Sequence, residues 1–114
     1  MDDEFKAWIV KLILDGRAEK ALEELSMVYG IKPPRIRVGR VKGKKRALAV
    51  YIPREKTIYV QYGDLYNDPH VILHEFYHHL RFKDGRHRGT EKYADRYALE
   101  FIMAYKKVYG YGEP

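Results

Sequence analysis

The spacing of apolar positions changes along the chain, and each change marks a different element. Phe5, Trp8, Ile9, Leu12 and Ile13 recur at the three-and-four spacing of one helix face. Asp2 or Asp3 is placed to cap that helix, and Asp15-Gly16 to end it. A second stripe, Ala18, Leu22, Leu25 and residues 27–29, stops at Gly30, and Pro33-Pro34 bars any continuation. Over residues 35–41 the pattern turns to strict alternation, the mark of a half-buried strand. Gly43-Lys44-Lys45 reads as a turn into a second strand at 47–52, and Pro53-Arg54-Glu55-Lys56 as a short link to a third at 57–62. Short links predict antiparallel neighbours. Helical spacing returns with Asp68 as N-cap and Pro69 at the first helical position, and runs to about Phe82. After a loop at 83–86, a last helix over roughly 90–109 places Ala94, Tyr97, Ala98, Phe101, Ile102 and Tyr105 on one side. The expected fold is α+β: two N-terminal helices, a small three-stranded, mostly antiparallel sheet, a third helix and a C-terminal helix. Residues 1–114 form one domain, the usual size for a single core.

Composition narrows the chemistry. There is no cysteine, which excludes disulfides, thiolate metal sites and cysteine nucleophiles, so any metal must be held by histidine and carboxylate. No stretch approaches the roughly 20 apolar residues of a membrane span, and the acidic start Met1-Asp2-Asp3-Glu4 is unlike a signal peptide. The expectation is a soluble, cytoplasmic protein without a membrane span. A single Asn67, a single Gln61 and abundant Lys, Arg and Glu match the bias of hot-growing organisms. The net charge of +6 gathers at Arg35, Arg37, Arg40, Lys42, Lys44, Lys45 and Arg46. No nucleic-acid motif accompanies that run, so it reads as a solvated strand face and turn.

The third helix carries the chemistry. His74-Glu75-Phe76-Tyr77-His78 is a His-Glu-x-x-His motif. Spacing of four puts both imidazoles on one face, close enough to reach a single zinc ion. Glu75 follows the first ligand, near the metal without having to bind it, where it can accept a proton from water and return it to a leaving amine. His79 is turned about 100° from that face and reads as structural; His70, in the first turn, reads as a solvated or capping residue. Downstream, His87, Glu91 and Asp95 stand at successive i, i+4 positions. In an antiparallel helix pair turning near residue 84, equal offsets oppose His78 to Glu91 and His74 to Asp95. Glu91 would then be the third ligand and Asp95 would hold the other ring nitrogen of His74. A tighter turn would bring in His87 as ligand, with Glu91 behind it.

His74-Glu75-x-x-His78 followed by Glu91-x-x-Ala94-Asp95 resembles the gluzincin metallopeptidases, especially the catalytic domains of CAAX-prenyl-protease and heat-shock membrane peptidases. A chain this short, without their membrane helices, looks most like the minigluzincins. The resemblance implies zinc-dependent hydrolysis of peptide bonds with Glu75 as base. The membrane relatives imply Glu91 as third ligand and the minigluzincins a histidine. His87 is therefore taken as third ligand, with Glu91 as its alternative and Glu91 and Asp95 as outer-shell carboxylates. It also implies that the strand before the metal helix, with Tyr59 and Gln61, pairs as a sheet edge with substrate backbone. A further implication is latency, with residues 110–114 blocking the cleft within one molecule or in a C-terminally swapped dimer. Tyr93 and Tyr97 are candidates for an oxyanion-stabilising donor. The competing functions are a non-catalytic or regulatory metal-binding protein, and a protease-like domain acting on nucleic-acid-bound proteins.

Overall fold

The computed structural model describes residues 1–44 and 46–110. It is an α+β domain of four α-helices, a three-stranded mixed sheet and a two-stranded hairpin. Helix α1 (Asp3–Leu14) starts where the Asp2 carboxylate accepts from the Phe5 N–H at 2.8 Å, and α2 (Ala18–Tyr29) ends at Gly30. Three strands follow, β1 (Arg35–Val38), β2 (Ala49–Ile52) and β3 (Thr57–Val60). Helix α3 (Pro69–Arg81) begins at Asp68, whose carboxylate accepts from the Val71 N–H, as the Asp-Pro pair predicts. A hairpin of β4 (Phe82–Lys83) and β5 (Arg86–His87) leads to α4 (Glu91–Tyr109), capped by the Thr90 hydroxyl. No helix among the described residues is long and apolar enough to cross a membrane.

One core joins every layer. Ile9, Val10 and Ile13 of α1 and Leu22 and Leu25 of α2 meet Ile36, Ile58 and Val60 from the sheet. Ile72, Leu73 and Phe76 of α3 and Ala98 and Phe101 of α4 close it. Burying each Ile, Leu or Phe contributes about 1.5–3 kcal/mol. The opposite face of α3, bearing His74 and His78, is thereby turned outward. Met27 and Val28, read as part of the second stripe, are exposed, and Trp8 lies at the margin against Phe5; Ala21, Ser26 and Ala7 take the buried positions.

The sheet departs from the antiparallel expectation. Its order is β1-β3-β2, with β3 antiparallel to β2 and parallel to β1. The short Pro53–Glu55 turn forces β2 against β3. The longer connection over 39–48 lets β1 join the far side of β3. The strand at 57–60 is therefore central, with both edges occupied, so the expectation that it offers an edge through Tyr59 and Gln61 does not hold. β2 is an open edge instead. Tyr59 turns its hydroxyl to Glu55, and the Gln61 N–H is taken by the Leu48 carbonyl.

The predicted loop at 83–86 is a hairpin. Asp84 and Gly85 both have positive φ (54° and 74°), as a two-residue primed turn requires, which Asp-Gly supplies at little cost. Of the tail expected to block the cleft, residues 111–114 lie outside the described residues. Helix α4 determines where that tail starts: Tyr109 is 18 residues beyond Glu91, about 27 Å along the axis.

Candidate metal centre

The two imidazoles come from α3 at adjacent turns, and α4 runs beside it to deliver the carboxylates. His74 Nε2 and His78 Nε2 are 3.3 Å apart. Glu91 bridges them, its Oε2 2.8 Å from His74 Nε2 and its Oε1 2.7 Å from His78 Nε2. The ligand atoms of His74, His78 and Glu91 all lie within 4.8 Å of one another, close enough to hold one metal ion. Asp95, one turn further along α4, accepts from His74 Nδ1–H at 2.8 Å. That bond leaves the Nε2 lone pair of a neutral His74 facing the Glu91 carboxylate and the second imidazole. Such a set of lone pairs at contact distance repels itself unless a proton or a cation sits among them, and the donor set fits a cation. The separation of the two imidazoles fits as well, since two ligands of a tetrahedral ion at about 2.0–2.1 Å are about 3.3–3.4 Å apart, whereas the Glu91 oxygens stand at hydrogen-bond distance from them.

His87 is placed elsewhere. Its Nε2 lies 2.8 Å from His78 Nδ1, the ring nitrogen pointing away from Glu91, and its Nδ1 lies against the Gly89 carbonyl. The third side chain placed to share an ion with His74 and His78 is thus Glu91, and His87 stands behind His78 as Asp95 stands behind His74. The hairpin explains the difference from the tighter-turn expectation: β4 and β5 spend six residues on a reversal, so α4 begins only at Glu91. His87 depends on a close approach, because a Cβ on Gly89 would lie 2.6 Å from the Tyr77 ring. Gly89→Ala should push this segment off Tyr77 and loosen His87 from His78. We expect a loss of about 1–3 kcal/mol in stability, read by thermal unfolding, with a metal affinity lowered about tenfold.

Glu75 is buried beneath the cluster, its carboxylate 3.8 Å from His74 Nε2. It accepts from the main-chain N–H of Tyr51 on β2. Its pKa is pushed up to about 7, chiefly by burial and further by Glu91, against the opposing pull of His74 and the Tyr51 N–H. Burial disfavours the charge on His74, but the hydrogen bond it donates to Glu91, with Glu75 and Asp95, outweighs it and raises the pKa. His78 is lowered, first by burial, with His74 and His87 adding to it against Glu91.

The other candidates fall outside the cluster. His79 is held between the Tyr51 hydroxyl (2.7 Å) and the Lys32 carbonyl (2.8 Å), a structural role. His70 Nε2 is 3.7 Å from Asp95. Tyr97 bonds Tyr29 hydroxyl to hydroxyl at 2.9 Å with its ring against Phe76, and Tyr93 is half exposed under Arg96. Neither tyrosine lines the cleft beside the metal centre. That cleft has a volume of about 630 Å³, with Glu75, His78 and Glu91 on one wall and β2 on the other. The contribution of β2 had no signal in the sequence, because it depends on which strand is left at the edge. The chain matches no family model, no curated protein and no solved structure.

Proposed function

We propose that the protein is a zinc-dependent peptidase, with His74, His78 and Glu91 holding the ion and Glu75 acting as general base. The observation that carries this reading is the position of Glu75: a buried carboxylate beside three convergent donors and open to a cleft. A structural zinc site is closed by four protein ligands, whereas a catalytic one keeps three and leaves a position open. When bound, zinc supplies Lewis-acid polarisation of a carbonyl and lowers the pKa of water. The chain's own residues do the rest. Asp95 fixes the tautomer and orientation of His74, and His87 does the same for His78. The Tyr51 N–H holds the Glu75 carboxylate toward the cluster, where it takes a proton from water and passes it to the leaving nitrogen.

The open edge of β2 supplies a place for the peptide backbone. Leu48 and Gln61 form a hydrogen-bonded pair, so by alternation Val50 and Ile52 also turn their polar groups toward β3. Ala49 and Tyr51 then direct theirs outward along the cleft, with the Tyr51 N–H already given to Glu75. A substrate strand would pair chiefly with Ala49. Ala49→Pro removes that N–H while an edge strand tolerates proline. It should lower kcat/KM on peptides roughly tenfold or more through the lost hydrogen bond, with zinc content unchanged. An equal kcat/KM would rule out β2 as the docking edge. The reading as a whole is tested by incubating the zinc-loaded chain with a quenched-peptide panel. Stoichiometric zinc with no cleavage of any peptide would favour a non-catalytic metal-binding protein.

A further inference from the structure

The basic run of the sequence is not used by the peptidase reading, yet the structure sets it at the mouth of the cleft. The connection over 39–48 runs from β1 to the start of β2, and Lys44 and Ala47 line the same cleft as Glu75, His78 and Glu91. Apart from the metal centre with its neighbour His87, Lys44 is the only charged side chain lining it among the described residues. A second hollow continues from there, sharing Lys44 and Ala47 and adding Arg46 and Gly43, with no acid in its walls among the described residues. Arg40, Lys42, Lys44 and Arg46 are all exposed, and none forms an ion pair or a side-chain hydrogen bond among the described residues. The other end of the cleft differs: Pro53 and Phe82 meet there beside Tyr51. Unpaired cations on a surface are ordinary. Here they occupy one end of a groove whose other wall offers an open strand edge.

We propose that this end of the cleft is a cationic, anion-accepting subsite selecting peptides with a carboxylate on the C-terminal side of the bond at the metal centre, received by Lys44 and Arg46. The proposal deepens the peptidase reading and rests on it for the position of that bond. Glu75 is anchored at Tyr51, so the reacting bond lies near that end of β2. A peptide antiparallel to β2 runs its C-terminal half past Ala49 and Ala47 to Lys44. The acceptor pair is separate from the ligands, and Glu75 and Glu91, engaged at the centre, do not neutralise it.

The test uses the full chain as its zinc-loaded Glu75→Gln variant, which leaves binding readable without turnover. Fluorescence anisotropy compares C-terminally amidated peptides that differ only in Glu, Gln or Lys at successive positions. Two exposed cations contributing fractions of a kcal/mol each give a Glu-over-Gln preference of roughly five- to tenfold at low salt, fading as salt screens it. Adding Lys44→Glu and Arg46→Glu should abolish that preference and turn it toward the Lys peptide. Free-acid peptides form a second arm: a preference present only there assigns the subsite to a terminal carboxylate rather than a side chain. Equal binding of all peptides in both arms, or a preference untouched by charge reversal, overturns the proposal. So does displacement of the acidic peptide by duplex DNA at equal concentration with a steep salt slope, which would make the loop a nucleic-acid surface. Wild-type cleavage of neutral peptides as fast as acidic ones overturns the subsite and leaves the peptidase reading intact. Charge-dependent binding without any cleavage supports the subsite and overturns the peptidase reading.

Discussion

Replacing Glu91 by alanine should lower zinc affinity by roughly 10²–10⁴-fold. Structural zinc binds proteins with about 10–16 kcal/mol; divided among three protein ligands, one carboxylate is responsible for roughly 3–5 kcal/mol. The Glu91 oxygens lie 2.8 and 2.7 Å from the two imidazole nitrogens that would share the ion, so its loss removes a ligand outright. His87→Ala should cost only about 10–100-fold, the usual penalty for removing a group that orients a ligand, because its Nε2 touches His78 Nδ1 and not the cluster. Competition titrations against a chromogenic chelator measure both. A larger loss for His87→Ala than for Glu91→Ala would reverse the two assignments. Glu91 is mostly exposed, so its substitution leaves the fold standing and the comparison clean.

Glu75→Gln should abolish peptide hydrolysis while keeping both metal and fold. General-base catalysis contributes about 10²–10⁴-fold, and an amide accepts no proton at neutral pH. The substitution is nearly isosteric, and the amide oxygen still accepts from the Tyr51 N–H that now serves the carboxylate. It also removes a carboxyl whose charge burial disfavours, so stability should hold or rise slightly. Zinc content, melting temperature and initial rates on one quenched peptide report the three properties together. If the variant keeps most of the wild-type rate, Glu75 is not the base. If it loses zinc, Glu75 takes part in holding the metal.

The sequence by itself determined the features that depend on neighbours along a helix. The i, i+4 spacing of His74 and His78 sets them on one face whatever packs beneath, and Asp68-Pro69 and Thr90 start their helices through side chains three residues from the N–H they satisfy. The absence of cysteine left only histidine and carboxylate as ligands. Even the offset of α4 was legible: counting equally from a turn near residue 84 opposes His78 to Glu91 and His74 to Asp95, the pairs found at 2.7 and 2.8 Å. The choice between Glu91 and His87 was not legible, because it turned on whether residues 82–87 form a loop or a hairpin, and a two-residue strand is too short to leave a period. Strand order was hidden for a deeper reason. Alternation says which face of a strand is buried but nothing of its neighbours, since pairing joins residues distant in the chain. β3 became central, and the open edge beside the metal centre passed to β2, only once the core had drawn Ile36, Ile58 and Val60 together against α3. The same packing placed the Tyr51 N–H on Glu75 and brought Lys44 to the mouth of the cleft, contacts between residues that no local pattern relates.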